Sequence, residues 1–249
     1  MAYSTRSYAR PYIGVPGLPR GIRWLIIANV AVFLLQWFSQ GTALGRAFNY
    51  LALTPSQVAT HLYIWQLATY MFLHGGIWHI LWNMLALWMF GSDVEQTWGT
   101  DRFLKFYFFC GIGAGICVVI LNYLFGNPSV PTVGSSGAIY GILLVCAVLW
   151  PDRVILFSFL FPIKMKYFVM IIGAIAFLNS FNVNSGVSDV AHLGGMAFGY
   201  LFLKLPRVRG FHPGEAMGQA YKDWKLARAK KKFQVYLKKQ RSDRGPWVN

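Results

Sequence analysis

Pro131-Thr132-Val133-Gly134-Ser135-Ser136-Gly137-Ala138-Ile139-Tyr140-Gly141 is a glycine- and serine-rich turn that runs straight into an apolar stretch ending at Trp150. Two readings fit it. Small residues let helix backbones approach closely in a membrane. Hydroxyls held among glycines at the head of a helix also suit a nucleophile. The run alone favours neither, and the rest of the chain has to choose.

The composition sets the solvent. Of 249 residues, 56% are hydrophobic, 17% aromatic and only 12% charged. Mean hydropathy is +0.44. Soluble domains carry about 25% charged residues, so the chain reads as an all-α polytopic membrane protein. The net charge of +15 is uneven: twelve of the 23 Lys and Arg lie in Pro206–Asn249. That is a basic tail and not a nucleic-acid-binding core. Cys110, Cys117 and Cys146 all sit in apolar runs and read as small buried hydrophobes, with no disulfide framework. Residues 1–21 contain no apolar signal region. Their Arg- and Ser-containing, acid-free composition leaves a transit peptide as the alternative to a cytoplasmic segment.

Apolar runs of about 17–20 residues span a bilayer. Six are expected: Ile22–Phe38, Met71–Phe90, Phe103–Leu124, Ser136–Trp150, Tyr167–Phe181 and Asp189–Leu205. Gly111, Gly113 and Gly115 give the third a close-packing face. Ser39–Tyr70 is expected as a long loop with short interfacial helices, Gly91–Asp101 as a short polar link, and Pro151–Lys166 as a partly apolar link along the interface. The tail is expected to carry one amphipathic basic helix around Glu215–Gln240. The expected division is a cytoplasmic segment 1–21, a membrane domain 22–205 and a cytoplasmic tail 206–249.

Cationic residues choose the orientation. Arg6, Arg10, Arg20 and Arg23 lie before or at the very start of the first span, Arg153, Lys164 and Lys166 lie between the fourth and fifth, and the three loops on the other side hold only Arg46. Both termini are therefore expected in the cytoplasm. The second, fourth and sixth spans then enter from outside. That sets His74, His79, Ser136 and His192 within roughly 10 Å of the outer boundary at 1.5 Å per residue. Strongly polar residues inside a membrane default to function.

The chemistry narrows by elimination. A zinc hydrolase helix would carry His-Glu-x-x-His, but His74 and His79 are five apart with no Glu between them. An aspartyl mechanism needs two carboxylates inside spans, and the eight acidic residues lie in links, span ends or the tail. A hydroxyl nucleophile with a histidine base remains, and Ser136 and His192 are the candidates. Gly195 and Gly199 would let the sixth helix approach the Gly134/Gly137 end of the fourth. His79 and Asn83 share one helix face and look like donors for a developing oxyanion.

At this point the chain resembles the rhomboid intramembrane serine proteases, in their bacterial six-span form. The resemblance rests on Gly134-Ser135-Ser136-Gly137 with Tyr140, His74-x4-His79-x3-Asn83, Gly91-x3-Glu95-x3-Gly99, and Ala191-His192-x2-Gly195-x3-Gly199. It covers about residues 22–205. A single Gly-x-Ser-Gly is weak, whereas four motifs in the right order on the right spans are specific. The resemblance implies Ser136 as nucleophile and His192 as general base, without a carboxylate. It implies an oxyanion site of the Ser136 N–H with His79 and Asn83, His74 supporting that wall, and Tyr140 stacked on His192. It also implies a six-transmembrane-helix bundle in a bacterial inner membrane, with a water-filled cavity open to the extracytoplasmic side. No cofactor and no metal are implied. Transmembrane protein substrates are the expected partners; the basic tail is expected to meet anionic lipids, and nucleic acid is not. No oligomeric state is implied. One departure stands out: family members often carry Trp-Arg before the second span, where this chain has Trp65-Gln66.

Alternatives remain for several residues. Ser135 is the rival nucleophile. Asp189, three before His192, reads as a helix cap, with a triad acid as the alternative. Glu95 reads as a polar staple between helices. Asn122 and Asn179 read as interhelical hydrogen-bond formers, and His61 and His212 as solvent or interface histidines. The outer loop after the fifth span is expected to act as a lid. Two rival functions stand beside proteolysis: a non-catalytic relative that binds transmembrane helices, and a small transporter.

Overall fold

The structure, a computed structural model, describes residues 17–157, 161–180 and 186–205. Residues 1–16 of the N-terminal segment, residues 182–185 of the expected lid loop, the tail helix and His212 lie outside the described residues, whereas residues 186–188 of that loop are already helical.

The apolar runs become helices because a backbone in lipid must satisfy its own hydrogen bonds. Helix α1 is Arg20–Phe38. The first loop holds three short helices: α2 (Ala43–Ala47), α3 (Pro55–His61) and α4 (Gln66–Thr69). Thr42 caps α2 by accepting from Gly45 N at 3.2 Å, Pro55 opens α3 at its first turn, and Leu62 ends α3 in the left-handed region at φ 57°. Gln66, at the departure from Trp-Arg, is fully buried. Its Oε1 accepts from Thr54 N at 3.0 Å, while Nε2 donates to Tyr50 O at 3.1 Å and to Gln57 Oε1 at 2.7 Å. A neutral amide ties the loop together where the family pattern has a cation.

The second span departs from its expected bounds. Helix α5 is only Ile77–Ala86. Leu73 is extended (φ −91°, ψ 146°) and so is Gly76 (φ 167°, ψ 173°). His74 therefore lies before the helix and not in its first turn. The Gly75-Gly76 pair disfavours a helix here, and Tyr70 O is engaged by Gly134 N at 2.9 Å. At the other end, the expected polar link is helical. A π turn at Leu87–Gly91 leads into α6 (Ser92–Trp98), whose first turn carries Asp93 and Glu95. Acids there suit the helix dipole. Gly99, at φ +80°, then turns the chain into α7 (Thr100–Phe125).

Glu95 is the staple between helices. It is buried at 3% exposure, and its carboxylate accepts from Gly21 N at 2.7 Å, Ile22 N at 2.8 Å and Thr100 Oγ1 at 2.7 Å. It thus satisfies the free N–H groups that open α1. Gly91 leaves room for Ile22, whose Cδ1 would lie 2.7 Å from any added Cβ.

Helix α8 is Ser136–Leu149. The next link is an antiparallel hairpin, β1 (Val154–Phe157) and β2 (Phe161–Lys164), in register Val154↔Lys164 to Phe157↔Phe161. No helical period announced it. At its base Arg153 pairs with Asp93, and Asp152 accepts from Lys166 at 2.9 Å and Lys164 at 3.1 Å. Those two ammonium groups hold the Asp152 carboxyl below its ordinary pKa. Helices α9 (Met165–Asn179) and α10 (Gly186–Lys204) complete the described chain.

Helices α7, α8 and α10 pack together at the centre. Tyr107, Phe103, Phe106, Ile142 and Cys110 are fully buried there. The outer surface is apolar instead: Phe125 is 81%, Trp78 70% and Leu178 68% exposed. Such a surface needs an apolar solvent. Helices α1 and α7 are each long and apolar enough to cross a membrane. The chain is an all-α bundle of membrane type with one small hairpin.

Candidate active site

The segment before α8 is held along its backbone. Thr132 and Leu53 exchange hydrogen bonds at 2.8 and 3.0 Å, and Gly134 N donates to Tyr70 O. Gly134 has φ +118°, which a side chain disfavours. A Cβ there would also come within 2.7 Å of His79 Nε2. The next residue, Ser135, is fully buried, and Ser136 opens α8.

Glycines bring α10 onto α8. A Cβ on Gly137 would meet Ala191 O at 3.2 Å, one on Gly141 would meet Gly195 O at 3.0 Å, and one on Gly199 would meet Gly141 Cα at 3.1 Å. Gly195 has no room for a Cβ against the Gly137 carbonyl. With the backbones this close, the Ser136 hydroxyl and His192 Nε2 lie 2.9 Å apart. The Tyr140 ring, one turn after Ser136, stacks on the His192 ring at 4.0 Å between centroids and 4° between planes.

The polarity of the pair follows from the ring's two nitrogens. A serine hydroxyl donating to Nε2 leaves the proton of neutral His192 on Nδ1. That nitrogen has no closed hydrogen bond. Asp189 Oδ1 is 3.6 Å from it, beyond hydrogen-bond distance. Helix α10 begins at Gly186, so Asp189 is its fourth residue and does not occupy the cap position expected from the sequence. A carboxylate in the first turn still suits the helix dipole.

Across the site, Gly75 N donates to His79 Nδ1 at 3.3 Å. A neutral His79 therefore carries its proton on Nε2, which faces Gly134. Asn83 Nδ2 lies 3.7 Å from the Cβ position of Gly134; it is buried and has no partner. Two N–H donors thus flank the backbone just before Ser136. His74 is 1% exposed and meets His79 edge-on at 5.1 Å between centroids. Its backbone N donates to Gln36 Oε1 at 3.3 Å.

The structure therefore brings Ser136, His192 and Tyr140 into contact and sets His79 and Asn83 beside Gly134. Sequence reasoning missed Tyr70, which is 1% exposed, anchors Gly134 and donates its hydroxyl to Gly111 O at 2.7 Å. It also missed Gln36 of α1, which accepts from His74 N; a polar residue inside an apolar run was the available signal. Among the described residues, no group of three His, Cys, Asp or Glu could hold a metal ion.

The family model for the Rhomboid domain matches residues 61–206. The chain is 36% identical over 150 residues to rhomboid protease GluP of Bacillus subtilis (strain 168), covering 59% of this chain and 27% of that protein. It is 35% identical over 142 residues to putative rhomboid protease YdcA of the same organism, covering 55% and 64%. It is 29% identical over 188 residues to the mitochondrial RHOMBOID-like protein 12 of Arabidopsis thaliana, covering 70% and 54%. In each case the chain spans less than two thirds of the relative's length.

Proposed function

Since the chain belongs to the rhomboid family, we propose that it is an intramembrane serine protease that cuts other membrane proteins in or beside their transmembrane helices. The observation that carries this reading is the 2.9 Å approach of the Ser136 hydroxyl to His192 Nε2.

In the proposed mechanism Ser136 Oγ attacks the scissile carbonyl carbon while His192 Nε2 takes the hydroxyl proton. The carbonyl oxygen becomes an oxyanion, stabilised by the Ser136 backbone N–H, His79 Nε2–H and Asn83 Nδ2–H. The C–N bond then breaks, and His192 returns the proton to the leaving amine. Water, activated by the same ring, attacks the acyl-serine and frees the second product. Tyr140 holds the His192 ring plane by stacking, and His74 backs His79. Asp189 is outside this scheme.

The same reading places six spans in the membrane, with residues 22–205 as the protease domain. Both termini are cytoplasmic and the site opens to the extracytoplasmic side of a bacterial inner membrane. A basic tail meets anionic lipids. Peptide hydrolysis needs water, so the site must be a polar cavity shielded from lipid. A substrate helix must unwind to expose its carbonyls. Gly, Ala, Ser or Pro near the cut are expected, since Gly and Pro weaken helices.

The test is labelling in liposomes with a fluorophosphonate, comparing the unaltered protein with Ser136→Ala and His192→Ala. Labelling should vanish in both variants. Undiminished labelling of Ser136→Ala removes the assignment, and absent labelling of the unaltered protein favours a non-catalytic helix binder. A reporter in residues 182–188 should read as extracytoplasmic; a cytoplasmic signal overturns the orientation.

A further inference from the structure

Tyr70 takes no part in the scheme above, yet it meets the chain on both sides of Ser136. It opens the short turn Tyr70–Phe72 ahead of α5 and is 1% exposed. Its carbonyl accepts from Gly134 N at 2.9 Å and from Leu73 N at 3.2 Å. Gly134 is two residues before Ser136. At the other end of the residue, the hydroxyl donates to Gly111 O on α7 at 2.7 Å. That hydroxyl also lies 3.5 Å from the position a Cβ would take on Gly137, the residue after Ser136.

The ring between these two ends has little slack. A Cβ on Gly115, one turn of α7 beyond Gly111, would lie 3.3 Å from Tyr70 Cε1. Gly137 in turn sits against α7, where an added Cβ would come within 2.6 Å of Ala114 Cβ. The phenol is therefore packed where α7 and the start of α8 come together.

A buried phenol needs a hydrogen-bond partner, and the Gly111 carbonyl meets that need. Satisfaction alone does not require the same residue to hold Gly134 through its backbone. We propose that Tyr70 is a positioning residue for the nucleophile: its hydroxyl, tethered to Gly111, fixes the ring, and the fixed ring holds the Tyr70 carbonyl at Gly134, so that Ser136 is presented to His192 in one direction. The exchange between Leu53 and Thr132 holds the loop farther upstream. Tyr70 holds it closer to Ser136 and makes α7 the reference against which the hydroxyl is aimed.

The inference rests on Ser136 being the nucleophile. Its test uses the full chain in liposomes, with Tyr70→Phe and Gly115→Ala. The first deletes the hydroxyl and keeps both the ring and the carbonyl that Gly134 binds. The second keeps the hydroxyl and presses on the ring from the α7 side. Alanine suits a helix better than glycine, so the second variant tests the same element should Tyr70→Phe fail to fold. Three readouts are taken: the fluorophosphonate acylation rate, kcat and KM on a transmembrane-helix substrate, and the thermal midpoint. Rates are measured per folded molecule, well below that midpoint. Tyr70→Phe should slow acylation and lower kcat by about 10-fold, with KM within twofold, because misaimed reacting groups lose rate and not binding. Gly115→Ala, a smaller displacement, should slow acylation by about threefold with the same split.

The inference is overturned if folded Tyr70→Phe acylates within twofold of the unaltered rate. It is equally overturned if only the thermal midpoint or KM moves, which is what packing alone would give. Should Tyr70→Phe not fold, Gly115→Ala decides by the same twofold limit. These outcomes differ from failure of the function itself. There, labelling survives Ser136→Ala, whereas here it stays dependent on Ser136 and only its rate is in question.

Discussion

Ser136 Oγ and His192 Nε2 meet at 2.9 Å although 56 residues separate them in the chain, and the contact depends on side chains that are missing. Gly137 on α8 and Gly195 on α10 face each other so closely that a Cβ on Gly195 would run into the Gly137 carbonyl. The partner is backbone, which cannot swing aside as a flexible side chain does. The geometry of the pair is therefore set by helix packing and carried to the hydroxyl and the ring.

Gly195→Ala should accordingly force α10 from α8. Overpacking a close contact costs about 1–3 kcal/mol. Thermal unfolding in detergent should show that loss, and fluorophosphonate labelling should fall at least about 10-fold through misalignment. Unchanged stability and labelling would mean that the helices do not meet as described.

Asn83→Ala removes a buried donor that has no partner of its own. Little stability should be lost, since no closed bond is broken. Removing one oxyanion donor lowers kcat by about 100- to 1000-fold, with KM nearly unchanged. A rise in KM at constant kcat would assign Asn83 to substrate binding.

Glu95→Ala acts far from the reaction. It strands Gly21 N, Ile22 N and the Thr100 hydroxyl, which now donate to one buried carboxylate. Hydrogen bonds to charged groups are worth about 1.5–3 kcal/mol each, so the thermal midpoint should drop strongly. Glu95→Gln keeps an acceptor and should recover part of the loss. Cleavage per folded molecule, measured well below the midpoint, should stay near the unaltered value.

Gln66→Ala tests whether the neutral clamp replaces the family's cation. It removes the bonds to Thr54 N, Tyr50 O and Gln57 Oε1. Burial without partners costs about 1–3 kcal/mol per group. Limited proteolysis between residues 39 and 70 should accelerate. Protection equal to that of the unaltered chain would show that the loop is held by its packing alone.

Helix positions were largely legible because each is written locally. The run Ile22–Phe38 became Arg20–Phe38, Phe103–Leu124 became Thr100–Phe125, and Ser136–Trp150 became Ser136–Leu149. The second span was misread because hydropathy does not distinguish an apolar helix from an apolar extended strand. Tyr70–Phe72 forms a single 3-10 turn and Leu73–Gly76 is non-helical, Gly75-Gly76 with the Tyr70–Gly134 bond deciding against a helix there. The helix start at Gly186 likewise moved Asp189 from a cap into the first turn.

The sequence by itself determined the membrane character, the helical class and the residue types available for chemistry, since composition and spacing are properties of short stretches. It named Ser136 and His192, and the polar pair His79 and Asn83, as candidates. Only the tertiary structure decided that the serine and histidine touch, that Tyr140 lies flat on His192, and that Gly134 N is held by Tyr70 O. The reason is physical: a contact between α8 and α10, or between Tyr70 and the segment before α8, depends on how closely backbones pack. That closeness is set jointly by glycines and side chains scattered along the chain, and no single stretch contains it.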